Sequence, residues 1–161
     1  MTATSDAAIA IVLEEEGVFS DDARDPGGET MYGLSRAAHP GLPWPPTIDQ
    51  ARAEYLRVYW TPHRCEEMPW GWALALFDGC VNQTGRAVRL AQLALQTVED
   101  GEVGPETLAA MQGPHGGDRL LTYLALRADA YLKSPNYDVF GHGWLRRLMR
   151  IAQCGEHPPV P

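Results

Sequence analysis

The sequence is short of basic charge, of cysteine and of long apolar runs. Thirteen Lys and Arg stand against 21 Asp and Glu, a formal net charge of −8. No stripe of cations is available to follow a phosphate backbone, so nucleic acid is excluded as the main partner. Nothing in this balance draws the chain over long range to other anionic polymers either. Three cysteines, Cys65, Cys80 and Cys154, are an odd number without CxxC spacing, which points to reduced, mostly buried thiols rather than a disulfide framework. His63-x-Cys65 lacks further ligands at suitable spacing, so no metal is expected. The apolar runs fall well short of the roughly 20 residues a bilayer requires, and no membrane insertion is expected. The first residues, Met1-Thr2-Ala3-Thr4-Ser5-Asp6, carry no basic region and lead into no signal core. The expectation is synthesis in the cytoplasm without a signal peptide.

What is present suffices for a packed core. With 161 residues, 45% hydrophobic and 21% charged, the chain fits one domain, or one with a small appended subdomain. Apolar periodicity predicts a first helix over about residues 5–16. Residues 17–46, rich in Gly, Pro and Asp, read as an irregular lobe with room for a short hairpin, and Gly27-Gly28 permits positive φ. Thr47 with Gln50 three residues on is a capping box. It opens a helix whose expected buried stripe is Ile48, Ala51, Tyr55 and Val58/Tyr59. Trp70–Val81 is apolar almost throughout, interrupted by Asp78 and followed by Asn82, and a helix apolar on all sides must be covered by others. Beyond the Gly85 break, Arg86–Val98 is amphipathic through Val88, Ala91, Leu95 and Val98. Pro105 begins a short helix at its first position. Asp118–Lys133 aligns Leu121, Leu124, Ala128 and Tyr131, and Phe140–Trp144 leads into a last helix ending near Cys154.

One stretch carries chemistry. At 100° per residue Ile9, Val12, Leu13 and Glu16 share a face, whereas Glu14 and Glu15 point elsewhere. Three acids in one last turn also oppose the negative end of the helix dipole. Desolvation, like charges and the dipole all push a glutamate at position 16 upward in pKa, as a proton donor near neutral pH requires. Nine residues on, Asp25 stands in a polar, glycine-rich turn where a carboxylate stays ionised, and Thr30 follows with a hydroxyl able to hold water. Cleaving a glycosidic bond usually needs such a pair of carboxyls, one protonated and one charged. The same residues also fit a solvated helix end and an ordinary Asp-Pro turn.

Glu16-Gly17-Val18-Phe19 and Asp25-Pro26-Gly27-Gly28-Glu29-Thr30-Met31-Tyr32-Gly33-Leu34 resemble the signature of glycoside hydrolase family 108, the N-acetylmuramidases of phages and bacteria. The likeness continues through Tyr59-Trp60, Leu74–Asp78, Val81–Ala87, Asp100-Gly101, Val103–Leu108 and Phe140–Leu145 with Arg147. The later segments resemble the family's peptidoglycan-binding region. The resemblance implies a mainly α, lysozyme-like fold with a small irregular or hairpin lobe, and no cofactor. It implies a catalytic region over 5–90, a peptidoglycan-binding helical region over 91–154 packed with it as one globular unit, and a loose tail over 155–161. Glu16 matches the family's general acid, Asp25 and Thr30 its partners. Tyr32, Tyr59, Trp60, Asn82, Trp144 and Arg147 are candidate substrate contacts. Val18 and Phe19 depart from the family's usual Glu-Gly-Gly-Tyr, and valine removes the freedom for positive φ just after the acid.

The expected activity is therefore hydrolysis of the β-1,4 bond between N-acetylmuramic acid and N-acetylglucosamine in peptidoglycan. The chain would be a monomer reaching the wall, in the periplasm or outside the cell, through a holin or a dedicated export route. Two alternatives stay open: a lytic transglycosylase, which can dispense with Asp25, and a non-catalytic wall-binding protein with a decayed site. A zinc amidase lacks the ligand spacing.

Overall fold

A computed structural model describes residues 2–16, 19–20 and 29–158, the backbone alone for 19 and 20. Contacts divide the chain into two compact units, Met1–Pro62 and His63–Pro161.

The first unit opens with helix α1, Ala3–Glu16. It starts two residues earlier than expected because Thr2 caps it: Ser5 donates its backbone N–H to the Thr2 hydroxyl at 3.2 Å, and Thr2 returns a bond to Ser5 Oγ at 2.9 Å. Three two-residue strands follow, β1 (Phe19–Ser20), β2 (Thr30–Met31) and β3 (Leu34–Ser35), in an antiparallel sheet of that order. Met31 pairs with Phe19 on one side and Leu34 on the other. Helix α2, Ile48–Tyr55, carries both halves of the Thr47–Gln50 capping box. It runs on into a π-helical turn, Leu56–Trp60, closed by Thr61 N–H to the Leu56 carbonyl at 2.9 Å. Ala51 and Tyr55 are buried as expected. Ile48 is not: it shares their face but occupies the first helical position, where the stripe runs out of neighbours, and 39% of it is exposed.

The second unit is helical among its described residues: α3 (Trp70–Asn82), α4 (Ala87–Leu95), α5 (Pro105–Gln112), α6 (Gly116–Leu132) and α7 (Tyr137–Gly155). α3 is buried without interruption from Trp72 to Cys80, with α4, α6 and α7 packed around it. Its two tryptophans, buried Trp72 and half-buried Trp70, have satisfied N–H groups. Trp72 donates to the Gly116 carbonyl at 2.9 Å and stacks on Tyr123, and Trp70 donates to the Cys154 carbonyl at 2.9 Å.

Two expected core positions face solvent instead. α4 stops at Leu95 because Gln96 turns left-handed, at φ +58. Val98 thus leaves the helical phase and is 66% exposed. On α6 the buried arc contains Arg127, a fully buried arginine. Leu121 lies about 120° around the helix from it and is also 66% exposed. α7 begins at Tyr137, so Phe140–Trp144 form its first turns rather than a lead-in.

Candidate active site

The buried residues of α1 are Ser5, Ala8, Ile9 and Val12, spaced by three and four. Glu16 continues that stripe one turn beyond Val12 and is half-buried, whereas Glu14 is exposed. The end of the stripe meets the tip of the β2–β3 hairpin. With Met31 paired to Leu34, only Tyr32 and Gly33 form the turn, and both have positive φ, +52 and +75. That is the signature of a type I′ turn, whose twist matches the flanking strands.

A left-handed aromatic residue costs roughly 1–2 kcal/mol and needs a partner to hold it. Tyr55 supplies one: from the core of α2 its hydroxyl donates to the Tyr32 carbonyl at 2.8 Å. Gly33 is bound to glycine twice over, by its φ and by space. A Cβ there would lie 2.5 Å from Glu16 Cγ, 2.7 Å from Glu16 Oε2 and 2.5 Å from the Tyr55 hydroxyl oxygen. Thr30, half-buried, starts β2 two residues before the turn. Asp25, Gly27-Gly28 and Val18 lie outside the described residues.

Beside Tyr55, α2 and its π turn hold a polar chain that sequence reasoning missed. Glu54 is buried and receives Arg57 in a two-pronged contact, Nε to Oε2 at 2.9 Å and Nη2 to Oε1 at 2.7 Å. Buried His39 places Nδ1 2.8 Å from Glu54 Oε1. Because the carboxylate can only accept, Nδ1 carries the proton, and a neutral ring then offers Nε2 to the Tyr59 hydroxyl, 3.4 Å away. Tyr59 itself is half-buried, its ring 5.7 Å from that of Tyr55. Trp60, expected at the substrate, is a core residue: at 2% exposure no ring face remains for a sugar.

The Arg57 guanidinium holds the Glu54 carboxyl below the usual glutamate range, against the opposing effect of burial and with help from His39. A lowered folded pKa means that ionised Glu54 stabilises the fold above the unfolded value of about 4.3 and loses this contribution as pH falls through its folded value. Glu54→Gln is therefore expected to cost about 1–2 kcal/mol at pH 7. Urea midpoints followed from pH 7 to pH 3 should show the wild-type advantage shrinking toward the acid end.

Residues 9–84 match the family model described as Glycosyl hydrolase 108. Over that stretch the chain is similar to the family. The match takes in most of α1, the hairpin with Tyr32-Gly33, α2 with its π turn, and all of α3. The solved "Structure of Brucella abortus SagA" is similar over 98% of this chain and 97% of that one, at 26% identity and a TM-score of 0.86. A comparison with curated proteins gives no match. The family and the structural likeness support a peptidoglycan hydrolase, and the mainly α, lysozyme-like fold that the resemblance implied is the fold observed.

In the second unit the remaining candidates fall into two groups. Asn82 and Arg147 join a buried ion cluster around Asp78. Arg147 Nε donates to Asp78 Oδ1 at 2.7 Å, and Arg127 Nη2 donates to Oδ2, also at 2.7 Å. Arg127 further reaches Gln83 Oε1 at 2.7 Å and the Ala75 carbonyl at 3.0 Å. The Asn82 amide, with its oxygen turned to Arg147, accepts from that guanidinium at 2.7 Å. Arg147, a candidate substrate contact, has its guanidinium engaged inside the helical core. Trp144 is different: half-buried, it stacks on Tyr131 at 5.1 Å and lies beside exposed Phe140.

Nucleophilic thiol chemistry finds no support here. Burial pushes the Cys80 thiol up to about 12 and the Cys65 thiol well above its ordinary value, so neither is an appreciable thiolate at neutral pH.

Proposed function

We propose that the chain is an N-acetylmuramidase. It cleaves the β-1,4 bond between N-acetylmuramic acid and N-acetylglucosamine, with Glu16 as the general acid. The observation carrying this reading is the place of Glu16: a carboxyl at the end of a buried helical stripe, pressed against the bare Cα of Gly33 at a hairpin tip. There it is partly removed from water and aimed by its neighbours, as a proton donor to a leaving oxygen must be. Asp25 is the second carboxylate, stabilising the cation-like transition state or orienting water, and Thr30 holds that water. Tyr32 and Tyr59 line the sugar cleft. Wall binding by residues 91–154 belongs to the same reading. There Trp144, with Tyr131 and Phe140 around it, offers the aromatic surface on which a sugar could stack. Export to the wall through a holin or a dedicated route completes it.

Digestion of purified peptidoglycan followed by mass spectrometry tests the reaction. Reducing muramic acid ends are the expected product. Anhydro ends would make the chain a lytic transglycosylase, and sacculi bound but uncut would make it a binding protein. The anomeric form of the first product then assigns retention or inversion, which correspond to carboxyl separations of about 5–5.5 Å and about 6.5–9.5 Å.

A further inference from the structure

A glutamate side chain has three rotatable bonds, and in this chain the hairpin tip restricts those of Glu16. Glu16 Cγ and Oε2 both lie within contact range of the Gly33 Cα, in the space a side chain would fill, and the Tyr55 hydroxyl occupies the same space from the α2 side. Tyr55 is wholly buried, and its hydroxyl donates to the Tyr32 carbonyl at 2.8 Å. That bond, together with the Met31–Leu34 pairing, supports the left-handed Tyr32 and so the place of Gly33.

We propose that Tyr55 is a positioning residue for Glu16: by pinning the Tyr32–Gly33 turn it keeps a glycine wall against the carboxyl and confines it to the orientation used in proton transfer. The proposal rests on Glu16 being the acid. It separates Tyr55 from its neighbour Tyr59, which the proposed function sets at the substrate. A displacement of about 1 Å in a reacting group can lower a rate by as much as about a hundredfold. Loosening one wall while leaving the helix in place should therefore weaken the chemical step without weakening substrate binding.

Tyr55→Phe removes the hydroxyl and keeps the ring. On soluble peptidoglycan strands its kcat is expected to fall about tenfold with KM within about twofold of wild type, in protein shown by circular dichroism to be folded at the assay temperature. A residue that only stabilises the fold would lower the melting midpoint and leave kcat of the folded protein unchanged. That outcome overturns the proposal, as does a loss carried wholly by KM. If Tyr55→Phe melts below the assay temperature, Gly33→Ala probes the same contact from the other side. Its Cβ must displace Glu16, so kcat falls again, and an unchanged kcat overturns the proposal. Glu16→Gln, assayed alongside, separates the two readings. If it remains fully active, the assignment of the acid fails and the positioning role with it. If it is inactive while both other variants turn over normally, only the positioning role fails.

Discussion

Asp78→Asn is expected to destabilise the helical unit by about 3–5 kcal/mol, the cost of removing one partner from a buried ion cluster. The chain would stay soluble but melt roughly 6–20 °C lower, at about 2–4 °C per kcal/mol for this length, as followed by far-ultraviolet circular dichroism. The expected loss is large because one carboxylate, Asp78, pairs with two arginines. Arg127 from α6 and Arg147 from α7 converge on its two oxygens, and Asp78 and Arg127 are wholly shielded from solvent. Burial opposes the charge on Arg127, but Asp78 together with Tyr123 and Tyr131 outweighs it and keeps the guanidinium protonated. Once the carboxylate becomes an amide, two cations remain close together and the charge they share is gone, while neutral acceptors such as the Gln83 and Asn82 side-chain oxygens and the Ala75 carbonyl stay in place. The second arm of the experiment replaces all three charges with apolar residues of similar volume. It should recover much of the loss, because a buried cluster removed whole leaves nothing unpaired. If Asp78→Asn melts like wild type, the cluster does not hold α3, α6 and α7 together.

The sequence shows half of this cluster. Asp78 and Asn82 stand out as polar interruptions of an apolar helix, which says that partners exist. It does not say where they are, since Arg127 and Arg147 lie 49 and 69 residues away, and a mostly apolar face around Arg127 reads as an ordinary amphipathic helix. The family resemblance draws Asn82 and Arg147 toward the substrate, whereas Arg147 bonds to Asp78 and to the Asn82 amide within the helical unit. Local signals fared better. The Thr47–Gln50 box, Pro105 at the first position of α5 and the periodicity ending at Glu16 each depend on residues within a turn or two of one another. The hairpin tip falls between these cases. Type I′ turns are usually marked by Asn-Gly or Asp-Gly, and Tyr32-Gly33 gives only the glycine. The bond that lets a tyrosine adopt the first position comes from Tyr55, 23 residues later. His39 and Glu54, 15 residues apart, carry no pattern at all. Leu121 and Val98 mislead for a simpler reason: an apolar residue at nearly the right phase is exposed once the buried arc centres elsewhere or the helix ends early.

Glu16→Gln is expected to remove about 10²–10⁴ of the hydrolytic rate and to leave the fold as stable as wild type or slightly more so. The two halves of this expectation have one cause. Glu14, Glu15 and Glu16 close α1 with three acids and no basic residue in its last turn. At the negative end of a helix dipole each unfavourable charge is worth about 0.3–1 kcal/mol. Glutamine keeps the length and shape that fit against Gly33, removes one of the three charges and cannot donate the proton. A melting midpoint unchanged or raised by roughly 1–3 °C, beside a collapse of reducing-end release from peptidoglycan, would mark a residue kept for chemistry at a cost in stability. Exposed Glu14 is the comparison, because Glu14→Gln relieves the same end of the helix and should leave the rate alone. If Glu16→Gln instead loses stability and activity together, Glu16 is part of the framework and the proton comes from elsewhere. If both variants gain stability and only Glu16→Gln loses activity, then the crowding of charge at this helix end has its explanation in the one carboxyl that faces Gly33.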